Sequence, residues 1–531
     1  MRGLAVADHC GCPTLVDSLQ SSGVQHIFAV AGRPITHIAE CASVRHAGFE
    51  WSVNEKVALE SAVGLSALGV RTAVLIKQCG LNVALDSLVN AVYHTTNGAL
   101  LIVVGDDVGA TSSTCEQDSR DLARAARVPV IEPRNGADIV PTVDLAVRLG
   151  ETAATPVMIR LVNDVHNRFV PSEAMLGAPA SLGRSLPDVA FALTKLGRQQ
   201  YHRTITWPSV GQVIDASRAV QTVCSPTCTT GVLAVGAASM DGPPAGSACC
   251  WATTSVSWPL PARVLSFVRS HPDLLVLEEP TPFVERELVL FAVASQLRVT
   301  IRGRLTGHLP PEGPLQSEHV TTAIRSTTVA ADWSVIERKR ATTNEPSPPY
   351  DALFRAVARA RRRGAFVAAD VGSAVKLCYQ PYQGADVSLS LGSAIGVAGG
   401  AARTGRPSIA VIGDFALLHS GLEALVDIAR HDLPVVVLVL LNGVQAQTGG
   451  QPSGTVASQG ALPELIAATG VGVVADFDYD DHDEDSLHDL LTSWLASPVP
   501  TAALIRQGAG VQDVVGELGN AIDQPFLETI A

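Results

Sequence analysis

The chain has 531 residues, which at roughly 150 residues per domain predicts three or four domains. Apolar residues make up 47% and charged residues 17%, so a large core can form, which argues against wholesale disorder. The net charge of −13 argues against a nucleic-acid-binding surface, which needs a basic stripe. The apolar run Val435–Leu441 is far too short to span a bilayer, and the first residues lack the apolar core of a signal peptide. We therefore expect a cytoplasmic protein without a membrane span.

The first third of the chain alternates strand-like apolar runs with helical patterns. This alternation is typical of an α/β domain with a parallel sheet. We predict strands at 26–30, 72–76, 100–105, 128–133 and 156–161, with helices at 57–69 and 86–94.

The middle region begins with residues 165–230, where scattered Pro, Ser and Gly predict an irregular linker. From about residue 229 onwards, strands and helices alternate again, which predicts a second, smaller α/β unit. The polar, proline-rich segment 342–350 predicts a boundary between domains.

The last third repeats the same plan. We predict helices at 351–364, 393–405 and 422–432, with strands at 365–372, 407–414 and 433–442. The whole chain therefore divides into three predicted domains, at 1–165, 166–345 and 346–531.

The ten cysteines contain no C-x-x-C pair. Cys224 and Cys228 are separated by three residues, and Cys249 and Cys250 are adjacent. In a large cytoplasmic chain, cysteines of this kind are expected to be free thiols. An iron–sulfur ferredoxin needs closely repeated C-x-x-C spacing, so this sequence predicts no such cluster.

Two polar residues follow neighbouring predicted strands in the last third. Asp414 ends the run PSIAVIGD, and Asn442 ends LPVVVLVLLN, 28 residues later. Ligands bind at the carboxyl ends of parallel strands, where a carboxylate and an amide oxygen suit a divalent cation that holds a diphosphate. On spacing alone, a helix cap at Asp414 and an ordinary turn at Asn442 are the favoured explanation.

Several further segments favour the cation site instead, because together they resemble the thiamine-diphosphate (ThDP)-dependent enzymes. Within these enzymes the resemblance is chiefly to the α subunit of indolepyruvate:ferredoxin oxidoreductase, and it covers about residues 25–165 and 265–460. It implies three α/β domains with mostly parallel sheets: a pyrimidine-binding, a middle Rossmann-like and a diphosphate-binding domain. The segments are EWSVNEKVALESAVG (50–64), KQCGLNVALDSLVNA (77–91), GDFALLHSGLEAL (413–425) and NGVQAQTGGQPSG (442–454).

The resemblance implies a cofactor site shared between subunits, and hence a homodimer or a dimer of dimers. Glu55 matches the glutamate that hydrogen-bonds the aminopyrimidine ring and tunes its acid–base chemistry. Taken alone, Glu55 would be a solvated helix residue. Asp414, Asn442 and the carbonyl of Val444 match the protein ligands of Mg²⁺, whose shell two diphosphate oxygens and a water would complete.

Other residues match further cofactor contacts in this family. Ile395 matches the apolar residue that holds the cofactor bent, and the carbonyl of Ser393 would face its amino group. Plain helix–sheet packing is the alternative for both. The turn and strand-end residues implied to meet the diphosphate are Asp370, Gly372, Ser373, Gly413 and Phe415.

Five residues are candidates for contact with the substrate or for catalysis. His419 follows a strand end, where a hydrogen-bonded structural histidine is an equal alternative. Lys77, Gln78 and Asn82 flank a predicted glycine turn, which lies near the reactive carbon in many relatives; a surface lysine is the alternative for Lys77. The guanidinium of Arg33 has the geometry to grip an anionic substrate group, or it pairs with a surface acid.

The sequence departs from the oxidoreductase α subunits in several ways. Its last residues contain no cysteine, where those subunits carry a ferredoxin-like domain with two [4Fe–4S] clusters. Ser373 stands where they usually have Cys, Arg33 replaces a small hydroxyl residue, and Phe415 replaces Gly or Ser. These departures favour chemistry without an electron relay.

The resemblance therefore predicts a ThDP- and Mg²⁺-dependent enzyme that decarboxylates a 2-oxo acid non-oxidatively. It would release an aldehyde or transfer the acyl-anion equivalent to an acceptor. The alternatives are an oxidoreductase α subunit whose electron relay lies on another chain, a non-enzymatic relative within an assembly, and a generic nucleotide-binding protein. The identities of the 2-oxo acid and of the acceptor stay open.

Overall fold

The computed structural model divides the chain into two compact units, Met1–Ile336 and Glu337–Ala531. The predicted boundary at 342–349 and both ends of the chain lie outside the described residues, and the three-domain division stays a prediction. The structure describes residues 12–94, 96–111, 113, 115–162, 195–224, 228, 230–239, 249–325, 350–445, 448, 450–452 and 461–506.

The first unit contains a seven-stranded sheet that is parallel except at one edge. All five strands predicted in the first third are present, and apart from a few polar residues such as Asp106 and Arg160 their side chains are apolar on both faces, as in a sheet that is covered on both sides. The edge strand Val256–Trp258 comes from the middle region, pairs antiparallel with Val130–Ile131 and was not predicted. In spatial order the strands are Val256–Trp258, Val130–Ile131, Val157–Val162, Leu100–Asp106, Thr72–Lys77, His26–Ala29 and Phe49–Trp51.

Six helices accompany this sheet within residues 12–153. The predicted helix at 86–94 is longer than expected, because it begins directly after a strand, at Gln78. The helices are Cys12–Ser21, Thr36–Arg45, Glu55–Ala67, Gln78–His94, Ser119–Ala126 and Ile139–Ala153.

The expected linker at 165–230 is wrong for its second half. Residues 195–215 are helical throughout, from Lys195–Tyr201 through Trp207–Asp215. Val210 and Ile214 are fully buried in the same hydrophobic core as the seven-stranded sheet, and Trp207 packs on Trp258 with 4.4 Å between ring centroids. This segment is therefore part of the first core, and residues 163–194 lie outside the described residues.

A second sheet of five strands completes the first unit. It is parallel except for the edge strand Val220–Val223, which pairs antiparallel with Cys250–Thr254. The helices beside it are Ala262–Ser270, Phe283–Ala294 and Ser317–Arg325. The spatial order is Thr300–Arg302, Asp273–Leu277, Thr230–Val235, Cys250–Thr254 and Val220–Val223.

A buried ionic cluster joins the regions of these two sheets. The guanidinium of Arg120 is fully buried and donates to Asp118 at 2.6 Å and to Glu278 at 3.0 Å. Nearby, Arg160 donates to Asp106 at 2.6 Å and to the carbonyl of Glu279 at 3.1 Å. Buried charges persist in a protein only when they are paired in this way.

The second unit is built around a six-stranded sheet in which every pair is parallel. All the strands and helices predicted in the last third are present. The strands are, in spatial order, Val387–Ser388, Phe366–Ala369, Ser408–Gly413, Val435–Leu441, Thr501–Arg506 and Gly472–Asp478. The main helices are Asp351–Arg362, Ala394–Ala402, Leu422–Arg430, Leu462–Ala468 and Glu484–Leu495.

The predicted fold class is confirmed, since all three sheets are mostly parallel and carry helices. Among the described residues, no helix combines the length and the apolar character needed to cross a membrane.

Candidate functional site

Three polar residues follow three adjacent strands of the second unit. Asp370 comes after Phe366–Ala369, Asp414 after Ser408–Gly413, and Asn442 after Val435–Leu441. These strands are neighbours in the sheet, so their carboxyl ends lie side by side.

Asp414 and Asn442 are held together by backbone hydrogen bonds. The Asp414 carboxylate is buried and accepts from the N–H of Phe415 at 2.8 Å and from the N–H of Gly443 at 2.9 Å. The amide oxygen of Asn442 accepts from the N–H of Val444 at 3.1 Å. The Asp414 carboxylate therefore links two strand ends, and the amide oxygen belongs to Asn442, the residue just before Gly443. Gly443 has φ +70°, a conformation that favours glycine.

Asp370 is a second buried carboxylate at this edge. Its two oxygens accept from the N–H groups of Val371 and Gly392, each at 2.8 Å. Burial raises its pKa to about 6, and these hydrogen bonds oppose the rise. Gly392 has φ +83°, and a Cβ at that position would lie 2.6 Å from the hydroxyl oxygen of Ser420.

His419 belongs to the same cluster. It is buried, and its Nδ1 lies 2.5 Å from the Ser420 hydroxyl, which also donates to the carbonyl of Leu391 at 3.2 Å. This places His419 one side chain away from the Asp370–Gly392 contact. The sequence analysis missed Gly392 and Ser420, although a glycine just before the helix Ala394–Ala402 is a recognisable signal of a positive φ.

The residues present fit a diphosphate bound through a divalent cation. Carboxylate and amide oxygens are the donors that Mg²⁺ prefers, and Asp414 and Asn442 supply one of each at adjacent strand ends. A Cβ added at Gly372 or at Gly413 would meet no atom within 4 Å, so open space adjoins both strand ends. Ser373 begins a 3₁₀ turn, Ser373–Cys378, directly after Gly372.

Two other predicted contacts have local structural roles. Ser393 precedes the helix Ala394–Ala402, and its hydroxyl donates to the carbonyl of Ser390 at 2.7 Å. Ile395 is fully buried in the core between that helix and the sheet. Packing of this kind is the alternative that the sequence left open for Ile395.

A separate group of predicted residues lies at the carboxyl edge of the seven-stranded sheet in the first unit. Glu55 is the first residue of the helix Glu55–Ala67, whose N-cap Asn54 accepts from the N–H of Lys56 at 2.7 Å. The Glu55 side chain is buried against Gly80, where an added Cβ would lie 2.8 Å from its Cγ and Cδ. The Glu55 carboxylate therefore fits against Gly80 because Gly80 has no side chain.

The residues around Gly80 do not form the predicted loop. Lys77 ends a strand, and Gln78 and Asn82 lie in the first turns of the helix Gln78–His94. The Gln78 amide nitrogen donates to Ser113 at 3.1 Å, whereas its buried oxygen has no hydrogen-bond partner among the described residues. Asn82 instead donates to Gln117 at 3.2 Å on the surface. A helix here aims Gln78 inwards and leaves Asn82 exposed.

Lys77 and Arg33 lie near each other at this edge. The Lys77 stem covers Gly32, where an added Cβ would stand 2.9 Å from Lys77 Cγ, and Arg33 is the next residue along the chain. The first unit therefore brings together a buried carboxylate, a buried amide and two cations.

Comparisons with known proteins agree with the second-unit geometry. Residues 370–501 match the family model described as thiamine pyrophosphate enzyme, C-terminal TPP binding domain. Asp370, Asp414 and Asn442 all fall within that match.

Over a longer part of its sequence, the chain is similar to proteins named indolepyruvate oxidoreductase subunit IorA. The chain is 29% identical to the Methanothermobacter thermautotrophicus subunit over 85% of its own length and 79% of that protein. It is 26% identical to the Archaeoglobus fulgidus subunit over 81% of this chain and 74% of that one.

Two solved structures were also matched. One is 2-oxoglutarate:ferredoxin oxidoreductase from Magnetococcus marinus, with 14% identity, a TM-score of 0.46, and coverage of 60% of this chain and 64% of that chain. The other is the Rhodococcus jostii ThDP-dependent 4-hydroxybenzoylformate decarboxylase, with 16% identity, a TM-score of 0.28, and coverage of 94% and 99%. The sequence matches agree with the resemblance that the motifs show: the chain is similar to thiamine pyrophosphate-dependent enzymes, and residues 370–501 match the model of their C-terminal TPP binding domain.

Proposed function

We propose that this protein is a ThDP- and Mg²⁺-dependent enzyme that removes CO₂ from a 2-oxo acid without an external oxidant. It then releases an aldehyde or transfers the acyl-anion equivalent to an acceptor. The observation that carries the proposal is that Asp414 and Asn442 lie at adjacent strand ends, which a hydrogen bond from the N–H of Gly443 to Asp414 links, inside the segment that matches a TPP binding domain.

In this proposal, Asp414, Asn442 and the carbonyl of Val444 hold Mg²⁺, and the strand-end turns hold the diphosphate. When bound there, the cofactor would supply the nucleophilic carbon and the electron sink that decarboxylation of a 2-oxo acid requires. Asp414 is suited to the metal because two backbone N–H groups fix its orientation before any cation binds.

Glu55 is proposed to hydrogen-bond the aminopyrimidine ring, in a site completed by a second subunit. Its side chain is buried and lies against Gly80, where an added Cβ would displace it. Gln78 carries a buried amide oxygen that has no hydrogen-bond partner among the residues that the structure describes, which makes it a candidate to contact the reacting groups.

Two residues favour the non-oxidative branch. Ser373 stands where the resembling oxidoreductases usually carry Cys, and Arg33, the residue after the Gly32 that the Lys77 stem covers, stands where those enzymes have a small hydroxyl residue. Two cations at one sheet edge favour a substrate with an anionic group besides its 2-oxo carboxylate.

The second candidate is an oxidoreductase α subunit that passes electrons to another chain. The similarity to the IorA subunits over most of their length favours it. The two candidates share the loss of CO₂ and differ in where the two electrons go.

A product screen separates the two candidates. Purified protein with ThDP and Mg²⁺ would be given a panel of 2-oxo acids, first without and then with a viologen dye, while CO₂ and products are followed by mass spectrometry. CO₂ with an aldehyde or a coupled product, without dye, supports the proposal. Turnover only with the dye or a partner subunit refutes it in favour of the oxidoreductase.

The same screen tests whether the protein is an enzyme at all. Glu55→Gln should abolish turnover while ThDP still binds, and Glu60→Gln, an exposed glutamate on the same helix, should not. Equal activity of the two variants would remove Glu55 from the mechanism.

A further inference from the structure

Two cysteines and a histidine converge in the five-stranded sheet region of the first unit. One ligand atom from each of Cys224, Cys250 and His271 lies within 4.8 Å of the other two. These residues are far apart in sequence, and their spacing matches no common metal-binding motif. The sequence analysis therefore expected free thiols here.

The sheet explains why they meet. Cys224 directly follows the edge strand Val220–Val223, and Cys250 begins the neighbouring strand, in which Trp251 pairs with Val223. His271 lies at the end of the helix Ala262–Ser270, two residues before the strand Asp273–Leu277. All three residues lie at the amino-terminal edge of the parallel strands.

His271 is oriented as a metal ligand would be. Its Nδ1 lies 2.8 Å from the carbonyl oxygen of Phe267. A carbonyl only accepts hydrogen bonds, so Nδ1 carries the proton and Nε2 keeps its lone pair. A backbone carbonyl that fixes the tautomer in this way is the usual outer partner of a metal-bound histidine.

The ring of His271 also sits in a fitted space. It is buried, and a Cβ at Gly231 would lie 2.9 Å from its Cγ. The Phe267 ring packs on its other side, with 4.1 Å between centroids. The imidazole therefore cannot turn away from the two thiols without displacing its neighbours.

We propose that Cys224, Cys250 and His271 bind a Zn²⁺ ion with a structural role. Two thiolates and one imidazole are donors that zinc prefers, and tetrahedral bonds of about 2.3 Å to sulfur and about 2.0 Å to nitrogen put ligand atoms roughly 3.6 to 3.8 Å apart. The present separations reach that value through small side-chain rotations. Binding releases the two thiol protons to solvent.

Water would fill the fourth position, and Cys228 lies beside Cys250 without belonging to the converging group. Its sulfur lies 3.2 Å from the N–H of Cys250 and 3.1 Å from the carbonyl oxygen of Thr230. The proposed ion would tie the edge strand and a helix end to the central strands. Ligands of open α/β sheets bind at the opposite, carboxyl edge, so this site is separate from the proposed function.

Metal analysis of the full chain tests this proposal. The protein, purified with zinc and without chelators, should contain about one zinc per chain after gel filtration, and Co²⁺ exchanged into it should give thiolate-to-metal charge-transfer absorption. Cys224→Ser should lose at least about tenfold in zinc affinity. Because Cys224 is exposed, this variant should keep its circular dichroism spectrum. Cys115→Ser, another exposed cysteine, is the matched control and should keep the metal.

Three results would overturn the proposal. One is a folded wild-type chain with less than about a tenth of an equivalent of zinc and no cobalt–thiolate absorption. Another is equal zinc retention by Cys224→Ser and wild type. The third is a disulfide between Cys224 and Cys250 in the unreduced protein, seen by peptide mass spectrometry.

Discussion

Gly80→Ala should damage catalysis far more than stability. A methyl group at this position would lie 2.8 Å from the Cγ and Cδ of Glu55, and closer still to one carboxylate oxygen. Moving the carboxyl carbon out to an ordinary contact of 3.4 Å requires a shift of about 0.6 Å, and the oxygen must move further. Glu55 is a flexible side chain, so it can rotate away while the backbone stays in place.

The magnitudes separate the two effects. Alanine in place of a helical glycine contributes about 0.5–1 kcal/mol of stability, whereas overpacking costs about 1–3 kcal/mol and falls at the low end where a side-chain tip can yield. The net change in the free energy of unfolding should therefore stay within about 1 kcal/mol. A misplacement near 1 Å at a catalytic group costs about 10²-fold in rate, so turnover should fall by tenfold to a hundredfold.

Gly64→Ala is the matched control, because Gly64 lies on the same helix as Glu55 and an added Cβ there meets no atom within 4 Å. Three quantities would be compared: the thermal midpoint, the affinity for ThDP, and the rate of hydrogen–deuterium exchange at C2 of the bound cofactor. Gly80→Ala should slow the exchange, and Gly64→Ala should leave it unchanged with a small gain in stability. Exchange at the wild-type rate in Gly80→Ala would refute the placement of Glu55 beside the aminopyrimidine.

Three further outcomes are expected. Asp414→Ala should weaken Mg²⁺-dependent ThDP binding by at least about tenfold in calorimetry. The control is Asp427→Ala, which removes an exposed carboxylate on the helix Leu422–Arg430 and should not weaken binding. Equal affinities of the two variants would exclude Asp414 as a ligand. Burial raises the pKa of Glu285 from 4.5 to about 7, so the folded chain keeps a proton that the unfolded chain releases, and stability should fall by about 3 kcal/mol between those pH values. Glu285→Gln should reduce that slope in denaturant titrations, because Asp370, whose pKa is also raised, still contributes, and an unchanged slope would contradict the assignment. Arg120→Ala should cost about 3–5 kcal/mol of unfolding free energy because Glu278 loses its buried partner, and a loss below 1 kcal/mol would show that the cluster relaxes.

The strands were predictable because parallel sheets bury both faces. Runs such as Val435–Leu441 are apolar at every position, and only a buried strand or helix explains them. Short edge strands carry no such signal, and Val256–Trp258 was missed for that reason. The helix Trp207–Asp215 was missed because Pro208 and Gly211 obscured the apolar spacing of Trp207, Val210 and Ile214.

The helix that begins at Gln78 shows how function disturbs local sequence signals. Gly80 weakens the helical pattern, since glycine in a helix costs about 1 kcal/mol relative to alanine. The sequence therefore predicted a turn at Gly80. The structure keeps the residue helical and uses its missing side chain to seat Glu55. Tertiary packing overrides propensity where one side chain needs the space of another.

The proximity of Asp414 and Asn442 in the second unit was predictable, because the strands that they follow are neighbours in the sheet. The contacts that orient them were not. Gly443 and Gly392 donate backbone N–H groups to carboxylates, and the Ser420 side chain occupies the space that a Cβ at Gly392 would need. Nearly every residue type can donate a backbone N–H group, so these hydrogen bonds cannot be predicted from residue identity. A single sequence therefore identifies the carboxylates but not the groups that orient them.

The edge of the sheet at which a cluster lies is a last criterion that distinguishes residues for catalysis or cofactor binding from residues that stabilise the fold. Asp414 and Glu55 each follow the carboxyl ends of parallel strands, where loops and helix starts leave room for a ligand. The Cys224–Cys250–His271 cluster lies at the amino edge, where helices return to the sheet and packing closes. Substitutions at the carboxyl edges should therefore change turnover or cofactor affinity at nearly constant stability. Substitutions at the amino edge should lower stability and leave the rate per folded molecule unchanged, and a cluster variant that alters turnover at full zinc loading would break this division.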